Sequence, residues 1–283
     1  MDPRSLFTNA PPLIGVVHLL PLPGSPRWGG SMARVVDRAV SDATRLAAGG
    51  MDGLVVENYG DAPFLPGRVG PETVAALAVA AAAVREAAPG LSLGVNVLRS
   101  DGVSAIGIAA ATGARFVRVN VHVGATVTDQ GVIAGDAPFV TRERARLGAR
   151  VAIFADVHVK HGAPLGGGSI EDAARDAVER GLADALLVTG SRTGAATDVE
   201  TIRRVKEAVP GTPVLAASGV DPVNVRAVLA VADGVIVGTA LERGGRSGAP
   251  VDAKRVDRFV SAARGPARPP RGRRTSQARR PRG

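Results

Sequence analysis

Asp156, His158 and Lys160 lie two residues apart in the segment ADVHVKHGAPL (155–165). Alternate residues of a β-strand point to the same face, so this spacing brings the three side chains together if the strand extends to Lys160. A histidine exchanges protons near neutral pH, a carboxylate can orient it, and a lysine can stabilise an anion or form a Schiff base. Because the chain has only three lysines against 32 arginines, we interpret Lys160 as functional; the alternative is an ion pair at the rim.

Glu57, followed by Asn58, ends the apolar run of GLVVENYGDAPF (53–64) and is the second candidate. A carboxylate at the end of a buried strand is expected to have a raised pKa and can act as a general acid or base. The alternative is a structural carboxylate that accepts backbone N–H bonds from its own loop. The predicted catalytic residues are therefore Glu57, Asp156, His158 and Lys160.

Glycine-rich turns follow the last three predicted strands, in VTGSRTG (188–194), ASGV (217–220) and VGTAL (237–241). Small residues let backbone N–H groups approach an anion, and the last turns of an eight-stranded α/β barrel are frequent phosphate sites. Tight turns also contain glycine for geometric reasons alone. We predict a phosphate site here, with Arg192 as its counter-charge.

Eight short apolar segments alternate with eight helical segments, a pattern typical of an α/β fold with a single (β/α)8 barrel over residues 1–263. The predicted strands are 14–17, 54–56, 91–97, 116–120, 150–156, 185–189, 213–217 and 234–237. The alternative is a doubly wound open sheet, but GSPRWGG (24–30) does not match the GxGxxG phosphate fingerprint of that fold. The segment 121–139 is predicted to cover one side of the mouth.

The carboxyl ends of the strands would bring many polar residues into one mouth. The predicted ligand-binding residues are His18, Asn58, Asp61, Asn96, Asn120, Thr189, Gly190, Arg192, Ser218, Gly219, Gly238 and Thr239. A purely structural barrel does not need three carboxylates, two histidines and a lysine at one end, so we predict a ligand site. Glu57, Asp156 and a histidine could hold a divalent metal by ligand type, but no HxH or HExxH spacing supports this and no metal ligands are assigned.

The net charge of +9 comes from the C-terminal segment 264–283, which contains eight arginines and no acidic residue. The remaining chain has 27 basic and 26 acidic residues, so it offers no electrostatic case for binding nucleic acid. The Arg/Pro-rich composition predicts a disordered tail. The tail is interpreted as an extension without a role; the alternatives are contact with an anionic surface or with a protein partner.

Three absences in the sequence narrow the class of protein. There is no cysteine, which excludes disulfides and thiolate catalysis. No apolar run approaches the 18 or more residues that span a bilayer, and the N-terminus does not resemble a secretory signal, so we expect a cytoplasmic location.

The segments LIGVVHLLPLPGSPRWGG (13–30) and GLVVENYGDAPF (53–64) closely resemble the BtpA/SgcQ family. Members share (I/V)GxxHLxPLPGSP and VEN(Y/F)GDxPF stretches, and the similarity extends over roughly residues 13–245. The resemblance implies a TIM-type barrel. It implies no defined reaction, because one branch is linked to photosystem I biogenesis in cyanobacteria and another to sugar-related gene clusters.

Two functions remain open. The first is an enzyme acting on a small phosphorylated metabolite, a phosphosugar or a nucleotide-like compound, by isomerase, lyase or aldolase chemistry. The second is a non-catalytic biogenesis or assembly factor that acts through its surface. The polar mouth favours the first. No cofactor is assigned, a divalent metal stays open, and the expected partners are the phosphorylated ligand and further copies of the chain in a homo-oligomer.

Overall fold

The computed structural model describes residues 2–190 and 198–265, in which short strands alternate with helices. The strands are β1 (Leu13–His18), β2 (Gly53–Glu57), β3 (Ser92–Asn96), β4 (Phe116–Val119), β5 (Ala125–Thr128), β6 (Gly131–Ala134), β7 (Ala152–Val157), β8 (Gly162–Pro164), β9 (Ala185–Val188), β10 (Val214–Ala216) and β11 (Val235–Val237). The helices are α1 (Met32–Ala48), α2 (Pro71–Ala87), α3 (Gly102–Thr112), α4 (Ala137–Arg146), α5 (Ile170–Arg175), α6 (Val199–Ala208), α7 (Val225–Leu229) and α8 (Ala253–Arg264).

Eight parallel strands close into a barrel in the order β1, β2, β3, β4, β7, β9, β10, β11, and β11 pairs with β1. The closing register aligns Leu13 with Val235, while Ile14 pairs with Gly53 on the other side of β1. These strands are short and rich in β-branched residues because both of their faces are buried. The predicted (β/α)8 TIM barrel is confirmed, and the open sheet is excluded by the closure.

The inside of the barrel is filled by aromatic rings near its amino-terminal end. Phe116 of β4 and Phe154 of β7 stack with their ring centroids 4.7 Å apart, and Phe7 meets Phe116 edge-on at 6.0 Å. On β3, a side chain at Gly94 would collide with the Phe116 ring. Glycine is therefore required at position 94 by the approach of this ring to the strand.

Serine side chains cap the first turns of α1 and α5. Ser31 accepts a hydrogen bond from the Arg34 N–H at 3.3 Å, and Ser169 accepts one from the Asp172 N–H at 3.1 Å. Asp221 accepts the N–H groups of Val223 and Asn224 in a turn that precedes α7, which begins at Val225.

The predicted boundary between barrel and tail falls inside the last helix. Arg264, counted with the tail, ends α8, and its guanidinium contacts the Asp52 carboxylate. Residues 266–283 lie outside the described part, so the predicted disorder of the tail stays a prediction.

A small antiparallel sheet is added to the barrel by the segments that follow β4 and β7. Strand β5 pairs with β6 in a hairpin and with β8 on its other edge. Arg99 connects this sheet to the barrel, since its guanidinium donates to Asp129 at 3.0 Å and to the backbone oxygen of Lys160 at 2.5 Å. The chain segment containing Lys160 is therefore held against the mouth.

Across the described chain, no helix has the length and apolar character needed to cross a membrane.

Replacement of Gly94 by alanine should lower the free energy of unfolding by about 1–3 kcal/mol, because the new methyl group overpacks against Phe116. Gly107 is the matched control. It lies within α3 with open space around it, so Gly107→Ala should raise stability by roughly 0.5–1 kcal/mol. Urea denaturation measures both changes. Equal stability of Gly94→Ala and wild type would contradict the proposed packing constraint.

Candidate functional site

A cavity of about 420 Å³ opens at the carboxyl ends of the barrel strands. Its polar lining residues are His18, Glu57, Tyr59, Arg118, Lys160, Ser218, Asp221, Thr239, Ser247, Arg255 and Arg258. Backbone is also exposed to the cavity at Gly219 and Gly238. The cavity therefore combines two carboxylates, an imidazole, several cations and small residues, as expected for the mouth of the barrel.

His18 and Glu57 lie side by side in the lining of this cavity because they end the neighbouring strands β1 and β2 in register. The His18 Nε2 atom is 3.7 Å from the Glu57 Oε1 atom. On the other side of the ring, Nδ1 is 2.7 Å from Oε1 of Glu242, which also accepts the Gly248 N–H. An imidazole between two carboxylates can pass a proton from one side to the other.

Glu242 was not predicted from the sequence. It follows the short helical turn Thr239–Leu241 after the last strand, and is 1% exposed. Closure of the barrel is what brings it to His18, because β11 lies beside β1. Gly238 leaves room for the ring, since a Cβ there would be 2.9 Å from the His18 Cε1 atom. The weak signal in the sequence was that Glu242 is the one acidic residue in the segment 238–251.

Asp156 is bound by a buried arginine. Arg118 donates from Nε to Oδ1 at 2.9 Å and from Nη2 to Oδ2 at 2.8 Å, and Asn120 donates to Oδ2 at 3.0 Å. Burial opposes the charge on Arg118, but the Asp156 carboxylate prevails and raises the pKa of the guanidinium. With both oxygens engaged, Asp156 is better suited to balance charge than to transfer protons as the sequence predicted.

Arg118 was also not predicted as a site residue, although the sequence contains a signal for it. It lies within FVRVN, where a charge interrupts a strand that is otherwise buried. A charge in that position needs a partner, because an unpaired buried ion is costly. The partner comes from β7, the next strand of the barrel.

Glu57 has a lowered pKa, contrary to the raised value expected from the sequence. Burial acts to raise it, but positive charge on His18, Arg118 and Lys160, and a hydrogen bond from Asn96 at 2.6 Å, together outweigh burial. The carboxylate is therefore ionised at neutral pH and can accept a proton.

Lys160 reaches the cavity, but not as part of a strand. Strand β7 ends at Val157 and His158 has a positive φ of 50°, so the alternation assumed for Asp156, His158 and Lys160 stops at Val157. His158 is partly exposed and is not among the cavity-lining residues. The expectation that the three residues share one strand face was wrong, because the backbone turns at His158.

The remaining predicted residues near β2 and β3 join the loops that follow the first three strands. Asn58 donates to Asp61 at 3.0 Å, and Asp61 accepts the Leu22 N–H at 2.8 Å. Burial raises the pKa of Asp61 despite these hydrogen bonds. Asn96 and Asn120 each have a buried amide oxygen with no hydrogen-bond partner within the described residues, beneath Glu57 and Asp156.

Only some of the residues predicted to bind phosphate after the last strands line the cavity. Gly219 and Gly238 line the cavity, as do Ser218 and Thr239, whereas Thr189 accepts the Lys160 N–H at 3.0 Å and neither it nor Gly190 is a lining residue. Arg192 lies outside the described residues. Positive charge at this end comes instead from two residues of α8 that were not predicted, Arg255 and Arg258.

No group of three histidine or acidic side chains in residues 2–190 and 198–265 is arranged to hold a metal ion. A divalent metal at the mouth therefore stays a prediction that rests only on the residue types Glu57, Asp156 and histidine.

Glu57→Gln should change how stability depends on pH. The folded-state pKa of Glu57 lies below its ordinary value of 4.5, so its ionised form stabilises the fold above that pH, and this contribution is lost as pH falls through the lower folded-state pKa. We expect the variant to be less stable by about 3 kcal/mol at pH 7, with the difference shrinking toward pH 3.

Urea denaturation between pH 7 and pH 3 measures this difference. Glu207→Gln is the control, because Glu207 is exposed on α6 and forms no ion pair within the described chain. Its effect should stay within roughly 0.5 kcal/mol throughout. A constant difference for Glu57→Gln would contradict the lowered pKa.

Solved structures with the same fold include two enzymes whose names include the word phosphate or phosphoribosyl. Thiamine phosphate pyrophosphorylase from Pyrococcus furiosus has a TM-score of 0.57 and 16% identity, with 89% of this chain and 96% of that chain covered. Phosphoribosyl anthranilate isomerase from Thermus thermophilus has a TM-score of 0.55 and 16% identity, with 88% and 97% covered. At this identity the similarity shows the fold alone.

Sequence comparison is more specific. The Synechocystis photosystem I biogenesis protein BtpA is 45% identical over 264 residues, which cover 93% of this chain and 91% of that protein. A protein from Archaeoglobus fulgidus is 47% identical over 253 residues, covering 89% and 98%, and one from Caenorhabditis elegans is 33% identical over 264 residues. The BtpA family model matches residues 9–265, and the chain therefore belongs to the BtpA family.

Proposed function

We propose that the chain is an enzyme that converts a small phosphorylated metabolite by proton transfer, in an isomerase, lyase or aldolase type of reaction. The observation that carries the proposal is the cavity itself, whose lining combines a carboxylate and an imidazole with glycine turns and arginines. We call these two groups the proton-transfer end and the anion-binding end, or phosphate end; they adjoin where Gly238 lies beside the His18 ring. The volume of the cavity, about 420 Å³, is in the range of small-molecule sites.

The proton-transfer end is formed by Glu57 and His18. The ionised Glu57 can remove a proton from substrate, and His18 can return one, since its ring lies 3.7 Å from Glu57. Glu242 would act as a positioning residue that holds the ring through Nδ1. Arg118 and Lys160 would stabilise negative charge that develops on the substrate.

The anion-binding end is formed by Gly219, Gly238 and Thr239, with Arg255 and Arg258 beside them. Glycine turns allow close approach of backbone N–H groups to a phosphate, and guanidinium groups match its oxygen geometry. In barrels of this kind the phosphate usually lies after the last two strands, where these residues are found. The enzymes of similar fold, whose names contain a phosphate group, agree with this choice of substrate class.

The second candidate is a photosystem I biogenesis factor, favoured by the full-length similarity to the Synechocystis protein of that name. The two candidates differ in whether the cavity residues are needed. Expression of this chain in a Synechocystis strain lacking its relative, followed by measurement of photosystem I content, tests whether it can replace that protein. Equal rescue by the wild type and by a folded Glu57→Gln variant would contradict the proposal that the chain acts as an enzyme.

The phosphate end predicts selective binding of phosphorylated sugars. In thermal-shift and titration measurements, ribose 5-phosphate or a triose phosphate should stabilise the protein, whereas the unphosphorylated sugar should not. Arg258→Met should weaken this binding about tenfold, which corresponds to roughly 1.4 kcal/mol.

Lys254→Met is the matched control. Lys254 is also exposed on α8 and carries the same charge, but it does not line the cavity. If both variants weakened binding equally, the effect would be general electrostatics rather than a phosphate site.

The proton-transfer end predicts a separation of binding from turnover. Glu57→Gln should lower kcat at least about 100-fold on a phosphorylated substrate, because a positioned base contributes that order of rate. Glu242→Gln should keep substrate affinity and lower kcat less, since it only orients His18. Steady-state kinetics gives both values, and unchanged kcat in Glu57→Gln would exclude it as the base.

A further inference from the structure

The side-chain amine of Lys160 lines the cavity without a direct partner. Within residues 2–190 and 198–265, its Nζ atom forms neither a hydrogen bond nor an ion pair. Its backbone, in contrast, is held on both sides, because its N–H donates to Thr189 and its oxygen accepts from Arg99. The lysine is thus fixed in place while its amine faces the cavity.

The nearby carboxylates are already engaged. Asp156 is bound by both nitrogens of the Arg118 fork and by Asn120. Glu57 accepts from Asn96 at 2.6 Å and lies beside His18. A lysine that served only to balance charge would form an ion pair with one of them, which Lys160 does not.

The surroundings of the amine lower its pKa and so make its neutral form easier to reach. Burial lowers the pKa of Lys160 and positive charge on Arg118 and Arg99 lowers it further, which outweighs the opposing effect of Glu57 and Asp156. Desolvation and neighbouring cations are the two ways in which a lysine becomes nucleophilic near neutral pH.

We propose that Lys160 forms a Schiff base with the carbonyl group of a phosphorylated aldehyde or ketone bound in the cavity. This rests on the proposed function for the phosphate end and for Glu57, and it adds a nucleophile to that function. It also defines the substrate class as one with a free carbonyl.

The step balances with groups present in the cavity. The lone pair of Nζ attacks the carbonyl carbon, a C–N bond forms, and the C=O π electrons move to oxygen. After proton transfer from nitrogen to oxygen, the hydroxyl leaves as water with a proton delivered by His18, giving a protonated C=N bond. That cation then accepts the electrons of an adjacent C–H or C–C bond, while Glu57 takes the proton. Water reverses the first steps, and no oxidant or reductant is consumed.

Reductive trapping tests the proposal. Full-length protein is incubated with dihydroxyacetone phosphate and sodium borohydride, which converts an imine into a stable secondary amine, and the adduct is located by peptide mass mapping. The chain has only two other lysines, Lys206 and Lys254, so the assignment is direct. We expect the adduct at Lys160, formed at least tenfold faster than with unphosphorylated dihydroxyacetone.

Two variants distinguish a nucleophilic Lys160 from a Lys160 that only supplies positive charge. Lys160→Arg keeps the positive charge and should lose all trapping and at least 100-fold in kcat, whereas an anion-stabilising lysine would tolerate arginine. Lys254→Arg, on the exposed side of α8, should trap as wild type does. Near-normal turnover in Lys160→Arg overturns the proposal.

A second measurement does not depend on the substrate. Reductive methylation with formaldehyde at pH 7 should modify Lys160 several-fold faster than Lys254, and equal rates overturn the proposal. Absence of a Lys160 adduct while dihydroxyacetone phosphate still raises the melting temperature would also overturn it, leaving the proposed function intact. Equal trapping at Lys160 with and without the phosphate group would instead support the Schiff base and contradict the phosphate end.

Discussion

The ion pair between Arg118 and Asp156 is the interaction on which the mouth of the barrel depends. Its two members come from adjacent strands, β4 and β7, and both are nearly excluded from water. Removing either partner of such a pair is strongly destabilising, because the other charge stays buried and uncompensated. The pair also occupies the Asp156 carboxylate completely. Glu57 is then an ionised carboxylate that faces the cavity, and among the described residues Lys160 has no direct counter-ion.

The other half of the mouth depends on the closure between the first and last strands. His18 ends β1, and Glu242 follows β11, so they meet only because the barrel is closed. The turn that contains Glu242 is secured further by α1, where Asp42 accepts the Val251 N–H at 2.9 Å. The orientation of the imidazole is therefore determined by contacts between the two ends of the barrel sequence, 224 residues apart.

The fold and the two ends of the cavity were predictable to different extents. The eight strands could be located because buried parallel strands are short, apolar and followed by polar or glycine turns. Residues at strand ends, such as His18, Glu57 and Asn96, could be assigned to one mouth because parallel strands end at the same edge. Residues that reach the cavity from helices or late turns, such as Arg255 and Glu242, could not, since nothing in the local pattern shows which way they point.

The sequence by itself determined the barrel, the family and the presence of a polar mouth, because strand periodicity and two long motifs are local properties of the chain. Only the tertiary structure decided the chemical state of each group. His158 does not line the cavity, because the backbone turns after Val157. Asp156 is hydrogen-bonded by Arg118 and therefore balances its charge. Glu57 is ionised because nearby positive charge and the hydrogen bond from Asn96 outweigh its burial. Charge state depends on what packs within a few ångströms, and those neighbours come from distant parts of the sequence.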